Sequence, residues 1–168
     1  MKSVFSCLLL VFIVFISGCK KENVEKNLLV GSWNFSNLSR INGKSYIDNN
    51  CIEEVTITSY NPKNQLIFNQ DNSYNSTFSC DLIAFIVHVV DQTTETSISS
   101  TTKLGNGTYT YNASSNNLII QDDVMKGNYT IDTLTENKLV FTYHYDNSYN
   151  DGMHSYSTVY DQIYSFTK

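Results

Sequence analysis

The chain has 168 residues, with 11 basic against 16 acidic side chains and a net charge of −5, a size that suits one domain. An acidic chain with no basic stripe repels phosphate backbones, which argues against nucleic acid as a partner. Twelve Tyr and many Thr favour strands, Asn and Gly favour turns, and there is one proline, Pro62, and one arginine, Arg40.

The first element is a signal segment. Lys2 supplies a positive start, and Leu8 to Ile16 is an unbroken apolar run of nine residues. A membrane-spanning helix needs roughly 20 apolar residues, so this length suits a helical signal peptide instead. The run Ile16-Ser17-Gly18-Cys19 resembles the lipobox of bacterial lipoproteins. That resemblance implies cleavage before Cys19 and acylation of Cys19 by fatty chains such as palmitate. Each buried methylene contributes about 0.8 kcal/mol, so two or three chains make a durable membrane anchor. Residues 1–18 are therefore expected to be the signal peptide and 19–27 a polar tether, leaving 28–168 as the domain. Lys20 to Asn27 would reach at most roughly 28 Å when extended. Lys20 stands where an acidic residue would favour inner-membrane retention, so the expected address is the outer membrane, with the periplasmic or outer face left open. Without residues 1–18, which include Lys2, 150 residues remain with a charge of −6.

Four cysteines divide by position. Cys7 falls in the signal segment and Cys19 is the acylation site, leaving Cys51 and Cys80. An even pair in an oxidising compartment is expected to form a disulfide, since neither has the Cys-x-x-Cys spacing of metal or redox sites.

Beyond the tether, short alternating runs are separated by turn clusters, the pattern of a barrel or sandwich. Leu29 to Leu38 opens the domain. Val55 and Ile57 share a face of Glu53 to Ser59, and Pro62 to Asn64 turns the chain into Gln65 to Asn69. Asp71-Asn72 predicts a hairpin into Ser73 to Ser79. Leu82 to Val90 (LIAFIVHVV) is nearly all apolar, which suits a strand buried on both faces or covered by a loop or partner. Thr93 to Thr102 reads as a polar strand or hairpin arm. Gly107 to Asn112 sets Tyr109 and Tyr111 on one face, and Ser114 to Asn117 turns into Leu118 to Gln121. Asn128 to Thr133 follows, then a turn at Thr135 to Asn137. Lys138 to Asp146 aligns Leu139, Phe141, Tyr143 and Tyr145. A polar loop, Asn147 to His154, precedes the last strand, Ser155 to Thr167. These elements predict an all-β, up-and-down antiparallel barrel of 8–10 strands.

Gly31-Ser32-Trp33 resembles the Gly-x-Trp of lipocalins. The order of motifs is similar to lipocalin-like domain lipoproteins of the Bacteroidetes: Cys19-Lys20-Lys21-Glu22, then Leu29 to Trp33, Cys51, Cys80, Gly107 to Tyr111 and Tyr129 to Val140. The resemblance implies a lipocalin-like barrel on a lipid anchor.

No Gly-x-Ser-x-Gly, His-Glu-x-x-His, phosphate loop or nucleotide fingerprint is present, so no catalytic residue, enzyme activity or cofactor is predicted. His144, Asp146, Asp151 and His154 gather possible cation ligands near one loop, but their spacing matches no metal loop and a solvated hairpin is preferred. Trp33, Tyr109, Tyr111, Phe141 and Tyr143 are candidate ligand-binding residues if the barrel is hollow. The function expected is binding of a small apolar or amphipathic molecule. The alternative is a filled barrel that binds an envelope partner through its surface.

Overall fold

The computed structural model describes residues 28–168, so the signal segment, Cys19 and the tether lie outside the described residues. Eleven strands follow in order: β1 (Gly31–Ile47), β2 (Asn50–Lys63), β3 (Gln65–Phe68), β4 (Ser73–Ser76), β5 (Ser79–His88), β6 (Thr93–Thr102), β7 (Gly105–Asn112), β8 (Asn117–Gln121), β9 (Gly127–Leu134), β10 (Lys138–Asn150) and β11 (Ser155–Thr167).

Several of these strands are halves of longer runs. Asn64 alone, in the left-handed region, separates β2 from β3. The two pair with successive halves of β1, β3 along Gly31 to Asn34 and β2 along Ser39 to Ile47. In the same way β4 and β5 pair with β3 and β2, and β6 and β7 pair with β5 and β4. The chain therefore makes eight long runs in up-and-down order, and β11 closes onto β1. The result is a closed, eight-stranded antiparallel barrel, as the alternation predicts. The element count exceeds the expected 8–10 because three runs are each broken once.

The inner face of the closed barrel is mostly apolar. Trp33, Phe35, Leu66, Phe68, Tyr74, Phe78, Leu118, Ile120, Leu139, Phe141 and Phe166 are buried and pack as one core. Burying each such side chain contributes about 1.5–3 kcal/mol. Ring pairs are offset or edge-on, for example Phe35 on Phe78 at 4.6 Å and Phe68 on Tyr109 at 4.8 Å. At one end Leu29 enters the core and its carbonyl accepts the Trp33 indole N–H at 2.7 Å. At the other end Met125 enters it, and the Tyr129 hydroxyl donates to the Met125 carbonyl at 2.7 Å. The first and last strands pair and the core lies within 29–166, so the described residues 28–168 close their own barrel around their own core.

The barrel is lopsided. β8 and β9 are short, with 5 and 8 residues, whereas β1, β10 and β11 have 17, 13 and 13. At the end away from the termini, six strands run on past the closed barrel as a wall, ordered β6-β5-β2-β1-β11-β10. The hairpin tips of this wall are tied together at Asp48, whose carboxylate accepts from the Ser155 amide and lies 2.7 Å from His154 Nδ1.

Three expectations need correction. Cys51 and Cys80 are free thiols. Cys51 pairs with Tyr46 at the wall tip, while Cys80 adjoins Asp81, the partner of Tyr60 at the other end of the β2–β5 ladder. Nine strand residues, roughly 30 Å, separate those positions, whereas a disulfide needs Cα atoms within about 7 Å. The run Leu82 to Val90 is not buried on both faces. β5 lies in the wall, where no second layer covers it among the described residues, and Phe85 is 52% exposed. Finally, the first half of the predicted loop from Asn147 to His154 is strand, because β10 stays paired with β11 as far as Asn150–Ser155. Only Asp151 to His154 turns, with the Asp151 carboxylate accepting the Met153 and His154 amides at 2.8 Å.

Candidate functional site

The predicted binding residues sit in two settings. Trp33, Tyr109 and Phe141 are buried in the barrel, where their rings fill it. Trp33 and Phe141 touch no space that would admit a water. The Tyr109 hydroxyl is tied to the Asn69 carbonyl at 2.8 Å. Tyr111 and Tyr143 are partly buried at the margin of the same core. Sequence alternation places these rings inward, but whether an interior is hollow depends on the sum of volumes across strands far apart in the chain.

The inner face of the wall continues the barrel interior. Cross-strand register stacks the inner residues into rungs. The lowest rung runs Leu82, Ser59, Leu38, Tyr164 and Phe141, and it belongs to the core or its margin. The next runs Ala84, Ile57, Arg40, Gln162 and Tyr143. Above it stand Ile86, Val55, Tyr160 and Tyr145, and near the tip His88 meets Glu53 at 3.3 Å and Glu95 at 3.7 Å.

Arg40 is the one arginine of the chain and lies half-buried on this face. Its guanidinium lies 3.8 Å over the Tyr160 ring, and Tyr160 stacks on Tyr145 at 4.6 Å. Burial raises the Tyr160 phenol above its ordinary value, with the neighbouring guanidinium opposing that rise. Nη2 makes a long bond of 3.3 Å to Gln162 Oε1, and Nε is buried without an acceptor among the described residues. No described carboxylate lies within ion-pair distance of this cation. Sequence reading passed over Arg40. The available signal was a lone arginine two residues after Leu38, in phase with the core positions of β1.

The outer face of the wall differs. Ile83, Phe85 and Val87 project from β5, and Ile98 lies beside Ile83 on β6. Phe85 and Ile98 are 52% and 69% exposed. Among the described residues β6 pairs only with β5, and no described strand pairs with its other edge.

No protein-family model matches the chain, and no curated protein or solved structure matches it.

The possible cation ligands near the β10–β11 turn are dispersed. His144 pairs with Asp161 at 2.7 Å on the outer face, whereas His154 pairs with Asp48 at the tip and Asp151 holds the turn. No group of three or more His, Cys, Asp or Glu residues suited to a metal occurs among the described residues. A shallow depression of about 500 Å³ near His144 is lined by Ile41, Asp132, Thr142, Asp161 and Ile163.

Proposed function

We propose that this is a lipid-anchored envelope protein whose filled barrel is a rigid mount, and that the wall recognises a protein partner by accepting a strand along β6. One observation carries the reading: among the described residues a ten-residue strand edge is left open beside an uncovered apolar face. Such an edge presents a row of unpaired backbone donors and acceptors, which another extended chain satisfies. Natural edges are commonly blocked by Pro or Lys, yet Thr93 to Thr102 has neither and carries one charge, Glu95. Phe85, Val87 and Ile98 then give the incoming strand side chains to pack on. The tether also enters at Leu28, by the closed end, so the wall would stand on the side away from the lipid.

Small-molecule storage inside the barrel has less support, because the rings that would line such a cavity pack on one another. The test is photo-crosslinking in the native envelope, with a photoreactive residue at Ser97 on β6 or at Thr110 on β7. The proposal predicts an adduct with another envelope protein from position 97 alone, lost in an Ile98→Lys variant that still folds. No adduct at 97, or equal adducts at both positions, overturns it. An adduct of twice the chain mass would replace the envelope partner with a second copy.

A further inference from the structure

The inner face of the wall holds a second surface, independent of the β6 edge. Arg40 sits at its base with tyrosine rings on one side and aliphatic residues on the other. Towards β10 are Tyr160, Tyr145 and Tyr143, and towards β5 are Ile57, Val55 and Ile86. A guanidinium in low-dielectric surroundings is costly unless paired, and the partner it matches best is a planar anion accepting two parallel N–H bonds. Here the guanidinium carbon sits 3.8 Å over the Tyr160 ring, and among the described residues Nε has no acceptor and Nη2 has the long Gln162 contact.

The flanking groups set the rest of the ligand. They are half-buried and present ring faces and branched aliphatic chains, which match a hydrocarbon or aromatic body. Glu53 and Glu95 lie at the tip beside His88, two rungs above Arg40. They leave the base of the face as its cationic point and make the rim unfavourable to a second anionic group. From this geometry we propose that the inner face of the wall binds an anionic amphiphile, with its headgroup on Arg40 and its apolar body lying between the tyrosine and aliphatic rows.

The free headgroup of a dissolved molecule and the headgroup of a membrane lipid share this chemistry, and the probes separate them. Residues 28–168 would be titrated with monomeric decanoate, decanol and decyltrimethylammonium, following the ring signals of Tyr143, Tyr145 and Tyr160 by NMR. Vesicles of phosphatidylcholine with and without phosphatidylglycerol form the second arm. Saturable binding of decanoate that shifts these rings, with decanol weaker and the ammonium compound inert, is the expected result. Binding only to phosphatidylglycerol vesicles would assign the same site to a lipid headgroup. Arg40→Gln should weaken binding by about ten-fold or more, and Arg40→Lys should restore part of it.

A second variant guards against misfolding of the arginine mutant. Ile57 lies directly opposite Arg40, so Ile57→Glu supplies an internal counter-ion on the same face. It should abolish decanoate binding in a protein whose melting temperature is not reduced. Equal affinity for decanoate and decanol, undiminished binding by Arg40→Gln, or no saturable binding of either anionic probe overturns the proposal. None of these results bears on the β6 edge, so the two assignments fail separately.

Discussion

Lys168, the last residue, places its ammonium 4.3 Å over the ring of Trp33 and donates to the Leu28 carbonyl at 3.1 Å. The two ends of the domain thus close the same end of the barrel around one indole, which is fully buried and bonded to Leu29. Trp33→Ala should cost about 3–5 kcal/mol, through the cavity it leaves and the Leu29 carbonyl it orphans. Lys168→Ala should cost less than about 1 kcal/mol, because its ammonium is near solvent. Urea unfolding of both variants measures the pair, and equal losses would show that the closure does not centre on the indole.

The free thiols give a second prediction. Burial, assisted by the Asp81 charge, pushes the Cys80 thiol up to about 11, so it is protonated and unreactive at neutral pH. Cys51 is half-buried at the wall tip. A thiol reagent should label Cys51 well before Cys80, and a reductant should leave the melting temperature unchanged. A marked fall on reduction would mean that the two strands are bridged.

Acid should loosen the wall before the barrel. Asp48 is held below the ordinary carboxylate value, first by the Ser155 amide and then by His154. Asp161 is lowered chiefly by His144 and Asn42. A depressed folded value means that the stabilisation is present above the unfolded value, near 3.9, and is lost as pH falls through the folded one. Below about pH 4 the wall tips should therefore separate while the core amides stay protected. In His154→Ala the Asp48 carboxyl should still titrate below its ordinary value, because the amide is the larger cause. Carbon-detected NMR of the Asp48 carboxyl checks this.

Tyr74 and Gly107 face each other across β4 and β7, and the Tyr74 hydroxyl donates to Asp122. Burial, followed by that bond, raises the phenol far above its ordinary value. Tyr74→Phe should cost about 1.5–3 kcal/mol, the range of a hydrogen bond to a charged group. A Cβ at position 107 would lie 2.4 Å from the Gln121 carbonyl oxygen and 2.9 Å from the Tyr74 ring. Gly107→Ala should therefore destabilise the domain by about 1–3 kcal/mol, measured by the same unfolding curve.

Much of the barrel is legible locally. Alternation in Gly107 to Asn112 and Lys138 to Phe141 gives both the strands and their inward faces, and Asn72 and Asn116 take the left-handed turns their type favours. The wall is less legible because it depends on register. Nothing within Leu82 to Val90 says that its neighbours will be Val55 and Ile57 on one side and an exposed polar strand on the other. The cysteine pair misleads for the same reason, since compartment and number say nothing of distance along a ladder. Arg40 is hidden by being single: its meaning comes from Tyr160, 120 positions later, and from the lack of a described carboxylate beside it.

β1, β10 and β11 run unbroken from the barrel into the wall, and one or two residues join the other wall strands to the barrel. Each of those three continuous strands should therefore show a graded rate of hydrogen exchange along its length. Along β1, amides near Trp33 should exchange only with global unfolding, whereas those near Ile47 should open by fraying from the tip. Anything that docks on the wall would then slow the fast end of that gradient and leave the slow end untouched. Occupancy would be recorded as a change of local lifetime, with no movement of one domain against another.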